Sequence, residues 1–414
     1  MTELKVNPTR ISRRIAKLSE MTEKDRPWTR TAFSALHMTA RDWLTREMQN
    51  AGLQTRIDSG GNLIGLLAGQ GHGAPIIALG SHIDTVPEGG RFDGIAGVIA
   101  ALETSQCLIE NGHRLTHPIE IIDFLAEEPN KYGLSCVGSR AIAGEISQST
   151  LAQTCSNGST LAEGIRQMGG EPDLLGTPLR EQRTTKAFLE LHIEQGIVLQ
   201  SARDDIGIVT DIAGISRIEI SVDGRTDHSG TTPMFLRKDA LVPACMVISA
   251  IEEKAQAETR ASFVATVGKM DVIPNAANAV PGKVTFTLEV RAIRSEIIGE
   301  FLEWAKKTAQ EISSKREVSV VFRRLTNGKP VAMSKKISAI FERAASQAGL
   351  KTKQLHSGAG HDAAFMARVA PASMIFIPCR DGRSHCPEEW SSEAQITKGA
   401  QTLLNAVLLL DETE

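Results

Sequence analysis

The stretch Pro75-Ile76-Ile77-Ala78-Leu79-Gly80-Ser81-His82-Ile83-Asp84-Thr85-Val86-Pro87-Glu88-Gly89-Gly90-Arg91-Phe92-Asp93-Gly94 decides the fold. Its first six residues form a short continuous apolar run, the pattern of a strand covered on both faces. From Gly94 to Glu110 the apolar positions 95, 98, 99, 102 and 109 recur at helical spacing, and Asn111-Gly112 ends the helix. A second buried strand runs from Ile119 to Leu125. Strand, helix, strand in that order predicts a parallel α/β sheet.

Working outward, residues 40 to 51 are charged and helically periodic, with Asn50-Ala51-Gly52 as the stop, and Ile64 to Leu67 reads as a short strand. Downstream, Ala187 to Leu191 is a third buried strand, followed directly by His192. The character then changes. Residues 217–222 and 283–290 alternate strictly between apolar and polar, which suits an antiparallel sheet with one solvated face. Helical stretches at 237–257 and 296–313 and a strand at Val318 to Phe322 accompany them. Residues 209–326 are therefore expected to form an inserted α+β domain between the two parts of an α/β domain, 1–208 and 327–414. A helix at 335–348, a glycine-rich loop at 357–360, a strand at Ser373 to Ile377 and a helix from Glu393 complete the main domain.

Composition excludes several functions. The 414 residues leave room for two or three domains. Lys and Arg number 46 against 49 Asp and Glu, and the net charge of −3 argues against a nucleic-acid partner or a polybasic membrane binder. Aromatic residues are 4% with one tyrosine, too few for a base-stacking surface. No apolar run approaches the roughly 18 residues that span a bilayer. The N-terminal Met1-Thr2-Glu3-Leu4-Lys5-Val6-Asn7-Pro8 lacks the apolar core of a signal peptide. Six scattered cysteines form no CxxC pair, which fits a reducing cytoplasm rather than a disulfide framework or zinc ribbon. The expectation is a cytoplasmic multidomain enzyme.

The predicted strand ends, where α/β folds place their ligands, carry acids and imidazoles in succession. Ser81-His82-Ile83-Asp84 and Asp93 follow the first strand, Glu127-Glu128 the second, His192-Ile193-Glu194-Gln195 the third and Ser384-His385 the last. Neutral imidazole and carboxylate are what a divalent zinc or manganese ion takes where no thiolate is offered, and cobalt and nickel suit them as well. His82, Asp93, Glu128, His192 and His385, with one carboxylate shared, would make a two-metal centre. Each piece alone has an ordinary reading. An HxD is a loop, an EE pair a helix start, and Gly89-Gly90 and Gly358-Ala359-Gly360 are common turns. Their succession at strand ends, with three of the ten histidines among them, points to metal.

Seven runs, GSHIDTVPEGGRFDG, EEPNKYGLSCVGSRA, LHIEQG, TDHSGTTPM, IPNAANAVPG, SGAGHDAAFMA and RSHCPEEW, span about residues 80 to 390 in order. Together they resemble the zinc-dependent hydantoinase/carbamoylase family of amidohydrolases, in the aminoacylase-like metallopeptidase group. That family includes N-carbamoyl-L-amino acid hydrolases, β-ureidopropionase and allantoate amidohydrolase. The resemblance implies a di-metal, aminopeptidase-like α/β catalytic domain with an inserted ferredoxin-like α+β lid through which two copies dimerise. It assigns His82 and His192 to one metal, Glu128 and His385 to the other and Asp93 to both. Asp84 would orient His82 by accepting its distal N–H, and Glu127 would be the general base. His228 would stabilise the oxyanion, normally from the partner subunit. Asn278 and Arg291 would grip the substrate carboxylate, with Gln195, Gly360 and His361 also near the substrate.

The ordinary readings remain open for three of these: Arg291 as a charge on a solvated strand face, Asn278 as a turn residue, His228 as a loop histidine. The implied activity is hydrolysis of the carbamoyl C–N bond of a small ureido carboxylate. An N-carbamoyl-L-amino acid is the first choice of substrate, with N-carbamoyl-β-alanine and allantoate as alternatives. Peptidase or deacylase activity is less favoured, because His192 stands where those relatives more often use a carboxylate. A non-catalytic binding protein would have lost the base or a ligand, and all six are present. One departure concerns the pocket: Pro129-Asn130-Lys131-Tyr132 stands where the family commonly has glycine and a small residue before an arginine and an aromatic. Tyr132 is thus either a substrate contact or a filler.

Overall fold

The computed structural model describes residues 4–181, 183–260 and 262–413. The first three residues of the N-terminal stretch read above lie outside it. In chain order the first elements are α1 (Pro8–Ser19), α2 (Ala35–Asn50), β1 (Gln54–Ile57), β2 (Leu63–Leu67), β3 (Ile76–Ser81), α3 (Ile95–Glu110), β4 (Ile119–Asp123), β5 (Thr185–Ile193) and β6 (Ile206–Ile212). Next come β7 (Gly214–Asp223), β8 (Asp227–His228), α4 (Leu241–Gln256), β9 (Val264–Ile273), β10 (Ala279–Val280), β11 (Lys283–Ala292), α5 (Ser295–Lys315), β12 (Ser319–Asn327) and β13 (Val331–Ala332). The last are α6 (Lys335–Gln347), β14 (Thr352–Ser357), β15 (Ala372–Ile377) and α7 (Glu393–Asp411). The chain divides into two compact units, one of residues 1–210, 333–355 and 361–414, the other of 211–332 with the short return 356–360.

The first unit is built on one sheet in the order β1-β2-β4-β3-β5-β15-β6, with β14 also on β6. Its centre, β4-β3-β5-β15, is parallel, and antiparallel strands close both edges. This is the α/β arrangement expected from residues 75–125. Every residue of β4 and of β15 is buried, as strands covered on both faces require. Helix α3 is buried along nearly its whole length, so its sequence reads as apolar all round rather than as a stripe. It shares one core with α1, α6, α7 and the sheet, filled by residues such as Ile77, Leu79, Val98, Ile99, Phe341, Ile375 and Leu404. Each such side chain contributes roughly 1.5–3 kcal/mol through burial. A second, smaller core around Phe33, Leu125, Val137, Leu161 and Ile165 lies under the chain between β4 and β5.

The second unit follows β-α-β-β-α-β order, and its sheet runs β12-β7-β11-β9, antiparallel throughout. This is the α+β insertion expected from the alternating strands, in the ferredoxin-like order that the resemblance implies. Strands β7 and β11 alternate buried and half-buried residues, and the buried set, including Ile218, Ile220, Phe286 and Leu288, packs with Val247 of α4 and Phe301 of α5. Where the chain enters and leaves this unit it pairs with itself, Ile212 opposite Val331 and Asp211 opposite Ala332.

Several elements differ from the sequence reading, β1, β6 and β14 among them, and three others show why. Helix α1 was not anticipated, although Asn7 caps it through a 3.1 Å bond from Arg10 N and Pro8 opens it. Its buried face mixes Ile11, Ile15 and Leu18 with Arg14, which blurs the apolar period. Strand β9 is the sheet edge and mostly exposed, so no alternation marks it. The helix expected from 237 begins at Leu241, where Asp239 Oδ1 accepts the Leu241 N–H at 2.8 Å. Among the described residues no helix is long and apolar enough to cross a membrane.

Candidate metal centre

The ends of the central parallel strands converge on one cluster. His82 follows β3 directly, Glu127 and Glu128 lie just beyond β4, His192 is the penultimate residue of β5, and His385 lies past β15. Asp93 sits at the start of α3. Gly94, the residue between Asp93 and α3, has φ 66°, and a Cβ there would stand 2.4 Å from His82 Nε2. Only glycine lets that ring lie against the helix start.

Among the described residues two groups of three ligand atoms form, each within 4.8 Å: His82, Asp93, His192 and Asp93, Glu128, His385. Asp93 belongs to both. Its Oδ1 lies 3.0 Å from His192 Nε2 and its Oδ2 2.9 Å from His385 Nε2. Glu128 Oε1 lies 3.3 Å from the same His385 nitrogen. The distal nitrogens have their own partners: His82 Nδ1 donates to Asp84 O at 2.9 Å and His192 Nδ1 to Ile193 O at 2.9 Å. Both rings therefore direct an Nε2 lone pair inward, and Gly94 N–H, 3.1 Å from His192 Nε2, fits that tautomer. A lone pair facing a carboxylate oxygen at 3.0 Å needs a cation or an added proton between them. The donor set, imidazole and carboxylate without thiolate, fits two divalent ions sharing one carboxylate.

The electrostatics agree. Burial, reinforced by neighbouring carboxylates that include Asp84 and Asp93, pushes the Glu127 and Glu128 carboxyls well above the usual range. Against the opposing effect of burial, the His192 and His385 rings hold Asp93 well below it. His192 in turn is pushed up to about 9 without a cation: burial resists the charge, but the Asp93 carboxylate outweighs it. Burial lowers His82 to about 4, so its ring stays neutral.

Glu127 is held at both ends. Its backbone carbonyl accepts from Cys136 N at 2.8 Å, and its Oε1 accepts from the Cys136 thiol at 3.4 Å. Its other oxygen lies 3.7 Å from His82 Nε2. The preceding Ala126 has φ 53°, a left-handed backbone for a residue with a Cβ, which swings the two acids off the strand.

The expected role of Asp84 needs correction. Its carboxylate stands 3.7 Å from His82 Nδ1, and the ring bonds to the Asp84 backbone carbonyl instead. The carboxylate is committed elsewhere, accepting from Glu127 N at 3.3 Å and Glu128 N at 3.2 Å. Asp84 thus fixes the acid pair rather than the ring. Gln195, at φ 55°, reaches Asp93 Oδ1 at 3.2 Å and Ser384 Oγ at 3.3 Å. His361 is buried with its ring edge-on to His192, centroids 4.6 Å apart. Tyr132 is buried in the small core, edge-on to Phe33 at 5.1 Å, with its hydroxyl 3.3 Å from Ser159 Oγ. It is a filler.

The remaining candidates belong to the second unit and fall in two places, His228 with Asn278 beside the Asp223/Lys283 end of its sheet and Arg291 with the 358–360 loop toward the other end. His228 and Ala279 pair in a two-strand ladder, and Ser229 N donates to Asn278 O at 3.1 Å, so His228 and Asn278 are near neighbours. His228 Nδ1 accepts from Gly230 N at 3.0 Å and Thr231 N at 3.2 Å. The neutral ring therefore carries its proton on Nε2, a donor at the surface. Arg291 lies on the sheet face away from α4 and α5, where Nε donates to Glu289 Oε1 at 2.7 Å and Nη1 to Gly358 O at 2.8 Å. Gly360 lies in the same loop as Gly358, and a Cβ there would meet only Ile215 Cδ1, at 3.9 Å.

Two residues escaped the sequence reading. Glu190 is buried between Ser81 Oγ, 2.8 Å away, and Ala363 N, 3.1 Å away. An acid inside the apolar run from Ala187 to Leu191 was the available signal. Glu389 accepts from Phe92 N at 2.9 Å and Asp93 N at 3.1 Å, and in RSHCPEEW nothing distinguished it from Glu388.

Comparisons with known proteins agree with this geometry. Residues 78–409 match peptidase family M20/M25/M40. The N-carbamoyl-L-amino-acid amidohydrolase of Paenarthrobacter aurescens is 37% identical over 99% of this chain and 100% of its own. The ureidoglycolate hydrolase of Arabidopsis thaliana is 34% identical, over 97% and 86%. Allantoate amidohydrolase of Escherichia coli is 32% identical over 91% of each. Among solved structures, an amidase of the hydantoinase/carbamoylase family from Burkholderia multivorans superposes with a TM-score of 0.87 at 32% identity, covering 98% of both chains.

Burial pushes Asp84, Glu190 and Glu389 each up to about 7. Carboxyls that hold protons more tightly folded than unfolded stabilise fully below roughly pH 4 and lose that contribution as the pH rises through 7. Bound cations compete for the same charge. The difference in melting temperature between metal-loaded and chelated protein is therefore expected to widen from pH 5 to pH 8. Differential scanning calorimetry at each pH measures it, and a constant or shrinking difference contradicts the metal reading.

Proposed function

This chain belongs to peptidase family M20/M25/M40, in its hydantoinase/carbamoylase branch, and from that premise we propose that it hydrolyses the carbamoyl C–N bond of an N-carbamoyl-L-amino acid to the amino acid, ammonia and carbon dioxide. At family level it is a hydrolase of carbamoyl or ureido C–N bonds. The observation that carries the proposal is Asp93 set between His192 and His385 with Glu127 beside His82.

Two divalent ions, zinc or manganese, held by His82, His192, Asp93, Glu128 and His385 would polarise the ureido carbonyl and acidify a water. Glu127 takes the proton of the attacking water at its carboxylate. The new C–O bond forms, the bond from the carbonyl carbon to the amino nitrogen breaks, and Glu127 returns the proton to that nitrogen. The carbamate released falls apart to ammonia and carbon dioxide. Asp84 keeps Glu127 and Glu128 in place through their backbone N–H groups, and Gln195 orients Asp93. His228 of the partner subunit would offer its Nε2–H to the developing oxyanion. Arg291, splayed by Glu289 and Gly358, presents its guanidinium to the substrate carboxylate, with Asn278, Gly360 and His361 as further contacts. Similarity to ureidoglycolate and allantoate hydrolases supports a second reading in which the ureido carboxylate is one of those, and N-carbamoyl-β-alanine offers the same two groups.

We also propose that two copies associate through the second unit. Met234 is 76% exposed and Phe235 85%, an apolar tip beside His228 that a monomer would leave in water. Phe235→Asp is expected to convert a dimer to a monomer by light scattering; a wild-type monomer contradicts the association.

Ammonia release from a panel of N-carbamoyl-α-amino acids, N-carbamoyl-β-alanine, ureidoglycolate and allantoate identifies the substrate. Glu127→Gln is expected to lower kcat by about 10²–10⁴ while metal content stays unchanged. Equal turnover by the two proteins rules Glu127 out as the base. Arg291→Ala removes a charged contact of about 1.5–3 kcal/mol, so KM is expected to rise by roughly 10- to 150-fold with kcat little changed. An unchanged KM removes Arg291 from the substrate.

A further inference from the structure

Glu389 links the two loops that carry Asp93 and His385. Its side chain is buried, Oε1 accepts from Phe92 N and Asp93 N at 2.9 and 3.1 Å, and Oε2 accepts from Ser384 Oγ at 2.6 Å. Ser384 immediately precedes His385. The carboxylate therefore holds the backbone of the shared ligand at one end and, at the other, the neighbour of a ligand from a loop almost 300 residues away. The space it fills is cleared for it: a Cβ on Gly90 would stand 1.8 Å from Glu389 Oε1. The flanking residues fasten the same two segments. The Arg91 guanidinium lies 4.7 Å from the Trp390 ring and 4.9 Å from Trp28, and Phe92 meets Trp390 edge-on at 5.6 Å.

We propose that Glu389 is a positioning residue that makes the two metal sites interdependent, by fixing the Asp93 backbone and the Ser384-His385 turn with one carboxylate. The proposal rests on the metal reading above. Because Asp93 is common to both ligand groups, loss of its anchor acts on both ions, whereas loss of the Ser384 contact acts on the His385 side alone. What the site requires is an acceptor at that place: glutamine in place of Glu389 still offers an oxygen to the two backbone N–H groups and an N–H to the Ser384 hydroxyl.

The test is zinc binding by metal-free protein, followed by competition with a chromogenic chelator, alongside melting temperature. Glu389→Met keeps the volume and removes the acceptors; it is expected to weaken zinc binding at both sites by about 10- to 100-fold. Glu389→Gln is expected to recover near-wild-type affinity, a rescue that a merely structural role in packing would not require. Ser384→Ala is expected to weaken one zinc and spare the other. Unchanged affinity at both sites in a folded Glu389→Met overturns the proposal, as does equal loss in the Met and Gln variants. If Glu389→Met does not fold, Ser384→Ala decides, and wild-type affinity at both its sites overturns it. A wild-type protein that binds no zinc overturns the metal reading itself; two ions bound equally by wild type and variants overturn only the role of Glu389.

Discussion

Asp93 is the point on which the rest of the site depends. A single carboxylate, buried against the start of α3, faces a histidine from β5 with one oxygen and a histidine from beyond β15 with the other. Around it stand Glu127, Glu128, Asp84 and Glu389, all buried. Two like charges about 4 Å apart repel by roughly 4 kcal/mol at the effective dielectric of a protein. Such a cluster persists where the acids hold protons or where positive charge is supplied among them. The parallel strands bring the ligands together at one end of the sheet, and the close contact of Gly94 with the His82 ring brings Asp93 between them.

The loops around that point are strained in a consistent way. Ala126, Gln195 and His385 all take positive φ, and each such residue costs on the order of 1–3 kcal/mol. For Ala126 the compensation is visible: Leu125, Ala126 and Glu127 donate no strand ladder onward but have their carbonyls taken in turn by Gly138, Val137 and Cys136. The polypeptide turns sharply after the strand yet leaves no carbonyl unsatisfied, and the turn aims both acids at the cluster.

Much of this was readable in the sequence because metal ligands come from few residue types and the strand ends are marked by apolar runs. His82, Asp93, Glu128, His192 and His385 could be proposed together on that ground alone. The partner of His82 could not. Whether its Nδ1 bonds to the Asp84 carboxylate or to the Asp84 carbonyl depends on which group the Glu127 and Glu128 amides occupy, a competition decided in three dimensions. Tyr132 was equally ambiguous, since a lone aromatic beside catalytic residues reads alike whether it meets substrate or, as here, Phe33. Helix α1 hid because its buried face contains Arg14, whose Nε and Nη2 are met by Glu47 and Gln106 from two other helices. Burial of an arginine is legible only once its partners are in place.

The second unit enters and leaves through residues that pair with each other, Asp211 with Ala332 and Ile212 with Val331. Paired strands lie about 4.8 Å apart, so apart from its short return at 356–360 the insertion begins and ends at nearly one point. A module attached in this manner is a cassette. It can be lengthened, shortened or exchanged over evolutionary time without shifting the register of the strands that carry the histidines. Whatever the cassette carries, the host sheet keeps the geometry that holds its histidines.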